Sequence, residues 1–104
     1  MKKIILIVLI TSLSFACSPS DRAISISEMM GNATTGESVY QSNCASCHGA
    51  NARGGSGPNL ISELKNHDDA EFIDVILEGE GSMPGFSKLE DQAIADLMAY
   101  LHSL

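Results

Sequence analysis

Two cysteines and a histidine stand in this sequence at a spacing that few kinds of chemistry use. Cys44 and Cys47 are separated by two residues, and His48 follows the second thiol directly. In a Cys-x-x-Cys-His arrangement each thiol can add to one vinyl group of a porphyrin, while the adjacent imidazole is held against the iron as an axial ligand. The motif therefore predicts one covalently attached c-type haem, bound through Cys44 and Cys47, with His48 on the iron.

Redox disulfides and zinc sites also use a Cys-x-x-Cys pair, and the rest of the chain argues against both. A thiol oxidoreductase places the pair after a strand in an alternating strand and helix pattern, and no segment of this sequence alternates with the period of a strand. A structural zinc ion needs four ligands. Beside the two thiols the sequence offers His48, His67 and His102, without a second paired motif. Haem attachment is the favoured interpretation.

Met83 is the predicted ligand on the other side of the iron. It follows His48 by 35 residues and lies in a glycine-rich segment, 79–86, in which Pro84 stiffens the backbone. A methionine in such a loop has no helical core face to belong to, whereas Met98 lies in a run with helical apolar spacing and is expected to pack in the core. If Met83 were replaced, His67 would be the substitute to consider.

Helical signals account for the rest of the folded part. Three patterns of Ser, Thr or Asp followed three residues later by Glu precede apolar runs with helical spacing, and they begin at Thr34, Asp68 and Ser87. We expect the first helix at 34–46, leading into the haem motif, the second to end at Gly79, and a short turn at 61–65. The sequence predicts an all-α fold of three main helices with long loops.

The N-terminal residues 1–16 have the features of an export signal. Lys2 and Lys3 precede an apolar stretch, 4–16, that ends in small residues. This stretch of 13 residues is shorter than the roughly 20 that a membrane-spanning helix needs. We therefore expect a removable signal peptide and a protein exported to the periplasm or to the outer face of a bacterial membrane.

Cys17 follows the predicted signal and is the candidate for lipidation. The residues before it resemble the lipobox of bacterial lipoproteins, except that Leu13 stands one position too early, with Ser14 in its place. Ser14 and Ala16 would equally suit ordinary signal peptidase, which would release a soluble product. Cysteine usage favours the lipid anchor, because an exported chain with a leftover free thiol is at risk in an oxidising compartment.

Residues 17–33 are predicted to be the anchor cysteine followed by a flexible tether, and 34–104 the haem-binding domain. After residue 16 only four basic residues remain against 13 acidic ones, a net charge near −9. Such a charge excludes nucleic acid as a partner. It agrees either with a solvated acidic surface or with steering toward a basic face on a redox partner.

From 35 to 104 the chain resembles the class I, mono-haem, His/Met-ligated c-type cytochromes of bacteria. Cys44, Cys47, His48 and Met83 match the haem attachment and axial positions, and the segment 57–60 resembles the family's Gly-Pro-x-Leu. The resemblance implies the cytochrome c fold around one haem c, and a hydrogen bond from His48 to the carbonyl of Pro58. It also implies a helix crossing at four positions: Gly36, Tyr40, Leu97 and Tyr100.

The resemblance implies a single-electron carrier that shuttles between extracytoplasmic redox partners, without a small-molecule substrate. Two alternatives remain open, which are a haem module of a larger oxidase or dehydrogenase complex and a haem peroxidase or gas sensor with a labile Met83. The sequence shows no distal acid and base pair for the latter. The basic docking ring usual in the family is absent from this acidic chain. The resemblance therefore does not identify a particular respiratory or photosynthetic partner.

Overall fold

Helices make up the regular structure of residues 18–104, which are those that the computed structural model describes; the predicted signal peptide and Cys17 lie outside this range. Extended pairing within the described range is limited to one isolated bridge, between Glu80 and Met83. The helices are α1 (Asp21–Ser27), α2 (Ala33–Asn43), α3 (Ala45–His48), α4 (Leu60–Asn66), α5 (Asp69–Glu78) and α6 (Asp91–His102). The predicted all-α fold is confirmed. None of these helices is both long enough and apolar enough to cross a membrane.

Helices α2 and α6 cross at short range in the centre of the fold. A Cβ atom on Gly36 would overlap the carbonyl oxygen of Asp96, so only glycine allows this approach. The rings of Tyr40 and Tyr100 meet across the crossing with centroids 5.5 Å apart and an interplanar angle of 44°, within the range of favourable aromatic pairs. Leu97 is 1% exposed beside them. The crossing thus uses the four positions expected from the family resemblance.

Helix α5 begins and ends where local signals predict. Its N-cap is Asp68, and the carboxylate of Glu71 accepts a hydrogen bond from the Asp68 backbone N–H at 3.0 Å. This reciprocal arrangement satisfies donors that the first helical turn would otherwise leave unpaired. Gly79 ends the helix with φ of 81°, a conformation that favours glycine. The turn predicted at 61–65 is also present, as helix α4.

Two predicted helix starts are wrong by a few residues. Helix α2 is capped by Asn32, whose side chain accepts from the Thr35 N–H at 3.0 Å, so the cap precedes the predicted Thr34. Helix α6 is capped by Glu90 and not by Ser87. The Asn32 side chain caps α2 one residue before its first helical residue, whereas the first residue of α6, Asp91, is bound by Arg22. Shifts of this size are common at helix ends.

The helix predicted at 34–46 is divided in two. Helix α2 ends at Asn43, and Cys44 is both its C-cap and the N-cap of the single turn α3. The backbone then turns sharply at Gly49, with φ of 87°. The break at Cys44 sets the direction in which the haem-attachment motif leaves the helix.

The flexible spacer predicted for 17–33 is wrong over Asp21–Ser27, which form helix α1. The Ser20 hydroxyl caps the helix by accepting from the Ala23 N–H at 3.1 Å. Ala23 and Ile26 are 0% and 1% exposed, in the common core with residues of α5 and α6. Two apolar residues three positions apart give only a weak helical pattern, so most of the stability of α1 comes from its packing against the core.

Arg22 holds α1 to the segment that leads into α6. Its Nε donates to the Asp91 carboxylate at 2.8 Å, while Nη1 and Nη2 donate to the backbone carbonyls of Ser87 and Leu89 at 2.9 and 2.8 Å. The ion pair is partly exposed, so its own contribution to stability is small. The bonds to two carbonyls add geometric specificity that a lysine cannot reproduce.

We expect Arg22→Ala to loosen α1 without unfolding the domain. The loss of these bonds should lower the free energy of unfolding by about 1–2 kcal/mol and speed hydrogen exchange in α1 selectively. Hydrogen exchange of the holoprotein, resolved by mass spectrometry, measures this change. Arg53→Ala, at an exposed position elsewhere, is the matched control. Uniformly faster exchange in every helix of the Arg22 variant would contradict the local role.

Candidate haem-binding site

A large cleft of about 1080 Å³ opens between α3, α4, α5 and the loop after α5. Cofactor pockets have volumes of about 300–1,000 Å³, so the cleft is large enough for a tetrapyrrole. All five haem-site residues predicted from the sequence line it, although they come from distant segments of the chain: Cys44, Cys47, His48, Pro58 and Met83.

Apolar side chains form most of the walls of this cleft. They come from α4, α5, α6 and the loop between the last two helices: Leu60, Phe72, Val75, Ile76, Phe86, Leu97 and Leu101. A porphyrin is a flat apolar body whose metal needs one or two nitrogen or sulfur donors. The combination of apolar walls, an imidazole, a thioether and two thiols fits a covalently bound haem.

His48 is held in one orientation by its neighbours. The side chain is 6% exposed, and Nδ1 lies 2.9 Å from the carbonyl oxygen of Pro58. Because a carbonyl oxygen can only accept, Nδ1 carries the proton and Nε2 remains free to bind a metal. This is the contact that the family resemblance implies. A Cβ atom on Gly57 would lie 2.7 Å from Cε1 of the ring, so glycine is needed for this packing.

The loop that follows the motif is tied back to it by backbone hydrogen bonds. The Gly54 N–H donates to the His48 carbonyl at 2.8 Å, and the Gly57 N–H donates to the Cys47 carbonyl at 2.7 Å. From α2, the hydroxyl of Tyr40 donates to the Gly49 carbonyl. A glycine-rich sequence that looks irregular is thus a compact support beneath the histidine.

Asn59 supports the site, although it is not among the residues that the haem motif points to. Its side chain caps α4 by accepting from the N–H groups of Ile61 and Ser62 at 2.9 and 3.2 Å. Since Asn59 follows Pro58 directly, this cap fixes the backbone that presents the Pro58 carbonyl to His48. An asparagine just before a helical run is an N-cap signal, and it was available in the sequence.

The two thiols differ in their surroundings. Cys44 is half-buried at the junction of α2 and α3, whereas Cys47 is exposed. Burial, and secondarily the nearby Cys47, raises the pKa of the Cys44 thiol to about 11. Without haem, Cys44 would therefore be a neutral thiol at physiological pH. Both border the cleft, as addition to two porphyrin vinyl groups requires.

Met83 reaches the cleft from a tight turn. The Glu80 N–H donates to the Met83 carbonyl at 3.1 Å, and the Met83 N–H donates back to Glu80 at 2.9 Å. Gly79 and Gly81 adopt positive φ of 81° and 60° on either side of Glu80, which favours glycine. Beyond the turn, the Phe86 N–H donates to the Ile76 carbonyl at 2.7 Å and ties the loop to α5.

The other ligand candidates take different places. Met98 is 5% exposed within the core, as predicted. His102 is exposed, with Nε2 2.9 Å from the Asp69 carboxylate. His67 is also exposed but lines the cleft, and its Nε2 lies 3.3 Å from the Glu63 carboxylate. The two histidines have carboxylate partners at the surface, in agreement with the surface roles expected for them.

The fold and the cleft together define a class of protein: a small helical domain that holds a haem through Cys-x-x-Cys-His. Comparison with known families supports this assignment. Residues 31–101 match the family model described as cytochrome c oxidase, cbb3-type, subunit III. The chain therefore belongs to the cytochrome c family, in its cbb3-type branch, and it carries a covalently bound c-type haem.

Similar curated proteins include cytochromes and larger haem proteins. Cytochrome c-553-like of Synechocystis is 35% identical over 77 residues, covering 73% of this chain and 72% of that protein. Cytochrome c-555 of Methylococcus capsulatus is 39% identical over 70 residues, covering 64% and 57%. Dihydro-heme d1 dehydrogenase of Pseudomonas aeruginosa is 45% identical over 71 residues, covering 64% of this chain.

The chain spans only 14% of that dehydrogenase and 28% of the cbb3-type oxidase subunit CcoP of Azospirillum brasilense. Among solved structures, cytochrome cL of Hyphomicrobium denitrificans is similar with a TM-score of 0.62 and 27% identity. That similarity covers 80% of this chain and 51% of cytochrome cL. The cytochrome c fold expected from the sequence is confirmed.

Proposed function

We propose that this protein is a single-electron carrier whose haem iron is bound by His48 and Met83. The observation that carries the proposal is that one apolar cleft brings together both candidate ligands, both thiols and the carbonyl of Pro58. The bound haem supplies the reversible one-electron change between ferric and ferrous iron. The chain supplies fixed ligands and walls that exclude water, so little has to rearrange during transfer.

Each residue has a separate task in this proposal. Cys44 and Cys47 hold the cofactor covalently, and the hydrogen bond to Pro58 keeps His48 in the tautomer that can bind iron. The thioether of Met83 favours ferrous iron and raises the potential, as methionine does in this ligand class. The glycine turn around Glu80 keeps Met83 at the cleft while allowing the backbone to pass close to the cofactor.

Replacing Met83 tests the proposal directly. We expect Met83→Ala to lose the ferric thioether charge-transfer band, to lower the midpoint potential and to bind carbon monoxide rapidly in the ferrous state. Absorption spectra, potentiometry and stopped-flow mixing of the holoprotein measure these changes. Met98→Leu, a volume-conserving change in the core, should leave all three unchanged. Rapid carbon monoxide binding by the unmodified protein would favour the peroxidase or sensor alternative.

A haem module within a larger complex is the second candidate. It is favoured by the description of the matching family model as an oxidase subunit and by relatives such as CcoP, in which similar sequence forms part of a longer chain. Mild detergent extraction of native membranes followed by size-exclusion chromatography separates the two. A free carrier should elute as a small protein, whereas a module should elute with its partner subunits.

We further propose that the chain is exported and held on the outer face of a bacterial membrane by lipid on Cys17. Support comes from the charge and apolar pattern of residues 1–16 and from cysteine usage, since Cys44 and Cys47 are committed to haem. Two or more acyl chains would anchor the protein firmly. Mass spectrometry of the mature protein tests haem attachment, an N-terminus at Cys17 and acylation in one spectrum.

The proposed partners are redox proteins and not small-molecule substrates. The dehydrogenase among the relatives is much longer than this chain, so its activity is not carried over, and we propose that this chain is not itself an enzyme. The net charge of −7 for the whole sequence argues against nucleic acid. It agrees with a partner that presents a basic docking face.

A further inference from the structure

The chain enters the fold at the rim of the haem cleft. Pro19 is one of the residues that line the cleft, and the backbone N–H of Ser20 lies 3.4 Å from the carboxylate of Asp74, another lining residue. Helix α1 begins at Asp21 and is fixed to the core by Ala23 and Ile26. The point at which the upstream chain joins the domain is therefore set by packing.

This position limits how far the cleft can lie from the proposed anchor. Only Ser18 separates Cys17 from Pro19, and two residue steps of fully extended chain span at most about 7 Å. A tether of 17–33, as the sequence predicted, would have allowed the domain to turn freely. Because α1 begins four residues after Cys17 and Pro19 already lines the cleft, a lipid on Cys17 would hold the rim of the cleft close to the bilayer surface.

The rim carries charge of one sign. Within the described part of the chain, no lysine or arginine lines the cleft. Five carboxylates do: Glu63, Glu71, Asp74, Glu78 and Glu80. Such a surface is repelled by anionic lipid headgroups and attracts a basic protein surface. The bare membrane is therefore a poor surface for this rim to dock on.

We propose that the haem cleft faces the membrane and docks onto a membrane-embedded redox protein whose exposed face is basic. This proposal rests on the proposed anchor at Cys17 and adds the orientation and the partner class. A specific interface needs about 800 Å² on each partner, a patch about 30 Å across. When the rim is held near the bilayer, the gap between the rim and the membrane surface is too small for a soluble partner to form such a patch. A membrane-embedded partner already presents its exposed face at the level of the rim.

Electron transfer to a soluble probe tests the orientation. The probe is mitochondrial ferricytochrome c, a small protein with a lysine-rich face, mixed with the ferrous holoprotein on zwitterionic vesicles. Three forms are compared: the lipidated protein, the same protein with fifteen Gly/Ser residues inserted between Ser18 and Pro19, and a secreted form that begins at Ser18. The insertion adds a reach of about 20 Å, and ferricyanide serves as the small-molecule control.

We expect the lipidated protein to react with the probe at least about tenfold more slowly than the secreted form. The spacer form should recover to within about twofold of the secreted form, and all three should react alike with ferricyanide. Equal rates for the lipidated and secreted forms would overturn the proposed orientation. If the lipidated protein failed to sediment with the vesicles, the anchor would be absent and the proposed orientation would be overturned. The haem spectrum of the same sample tests the proposed function independently.

Charge reversal tests the partner class. In the secreted form, Glu78→Lys with Glu80→Lys should slow the reaction with the basic probe about tenfold or more at low salt. The matched control, Glu28→Lys with Glu37→Lys, makes the same change in net charge at exposed residues outside the cleft. The control pair should have a clearly smaller effect. Equal slowing by both pairs would show that net charge, and not the rim, guides docking, and would overturn the basic-partner assignment.

Discussion

Replacing both Cys44 and Cys47 by alanine is expected to abolish covalent haem attachment and, with it, the folded state. The cleft that they border measures about 1080 Å³ and is walled by apolar side chains. In a domain near this size a single hydrophobic core rarely supplies more than about 3–5 kcal/mol. Exposing the apolar walls of the cleft to water would cost a free energy of similar size. Haem staining of denaturing gels and circular dichroism measure the two losses.

The single variants separate attachment from folding. Cys44→Ala and Cys47→Ala should each retain one thioether bond and an intermediate stability, and Ser46→Ala, between the two thiols, should retain both bonds. Because Cys44 is half-buried and Cys47 exposed, Cys44→Ala should be the more destabilising of the two. Haem that survives denaturation in the double variant would contradict attachment through these residues.

The residues singled out in the sequence lie together in one cleft, because the chemistry of haem attachment constrains their types and spacing. Cys44, Cys47 and His48 must be neighbours in the chain, and a loop methionine such as Met83 stands out once helical core positions are set aside. The capping signal at Asp68 was equally readable, because both partners of that cap lie within one turn. Features that depend on local residue types were therefore predicted.

Features that depend on distant contacts were missed. Helix α1 is held by Arg22, whose partners Ser87, Leu89 and Asp91 lie 65 to 69 residues further along the chain. The N-terminus of α2 is likewise fixed by a distant residue, since the Asn32 N–H donates to the Asp96 carboxylate at 2.8 Å. Neither contact can be predicted from the local sequence, which therefore indicates a tether where α1 forms.

The presence of α1 in place of a flexible tether bears on the proposed function. A carrier on a flexible spacer can meet soluble partners in any orientation, whereas Pro19 at the rim of the cleft would fix the direction of approach of a protein anchored at Cys17 as proposed. The carboxylates that line the cleft would then favour a partner with a basic surface. In the proposed anchored form, anchoring and docking would thus be coupled through the fixed position of α1, a helix that local sequence patterns do not predict.

Gly36→Val is expected to lower the free energy of unfolding by more than about 4 kcal/mol and to reduce the yield of folded holoprotein. A Cβ atom at this position would overlap the Asp96 carbonyl and lie 2.9 Å from Cβ of Tyr100. The backbone cannot easily retreat, because the side chain of Asp96 is buried and binds both Asn32 and Gln92. Helices α2 and α6 would have to separate, and the ring contact of Tyr40 with Tyr100 would be lost.

Ser38→Val is the matched control for this prediction. It introduces the same β-branched residue into the same helix at an exposed position, so it should cost only about 0.5 kcal/mol through helix propensity. Urea titrations of both holoproteins, followed by circular dichroism with the m-value compared, measure the difference. Since backbone overlap at Gly36 is the assumed cause, Gly36→Ala should already be strongly destabilising. A cost for Gly36→Val within about 1 kcal/mol of the control would show that the crossing can widen without penalty.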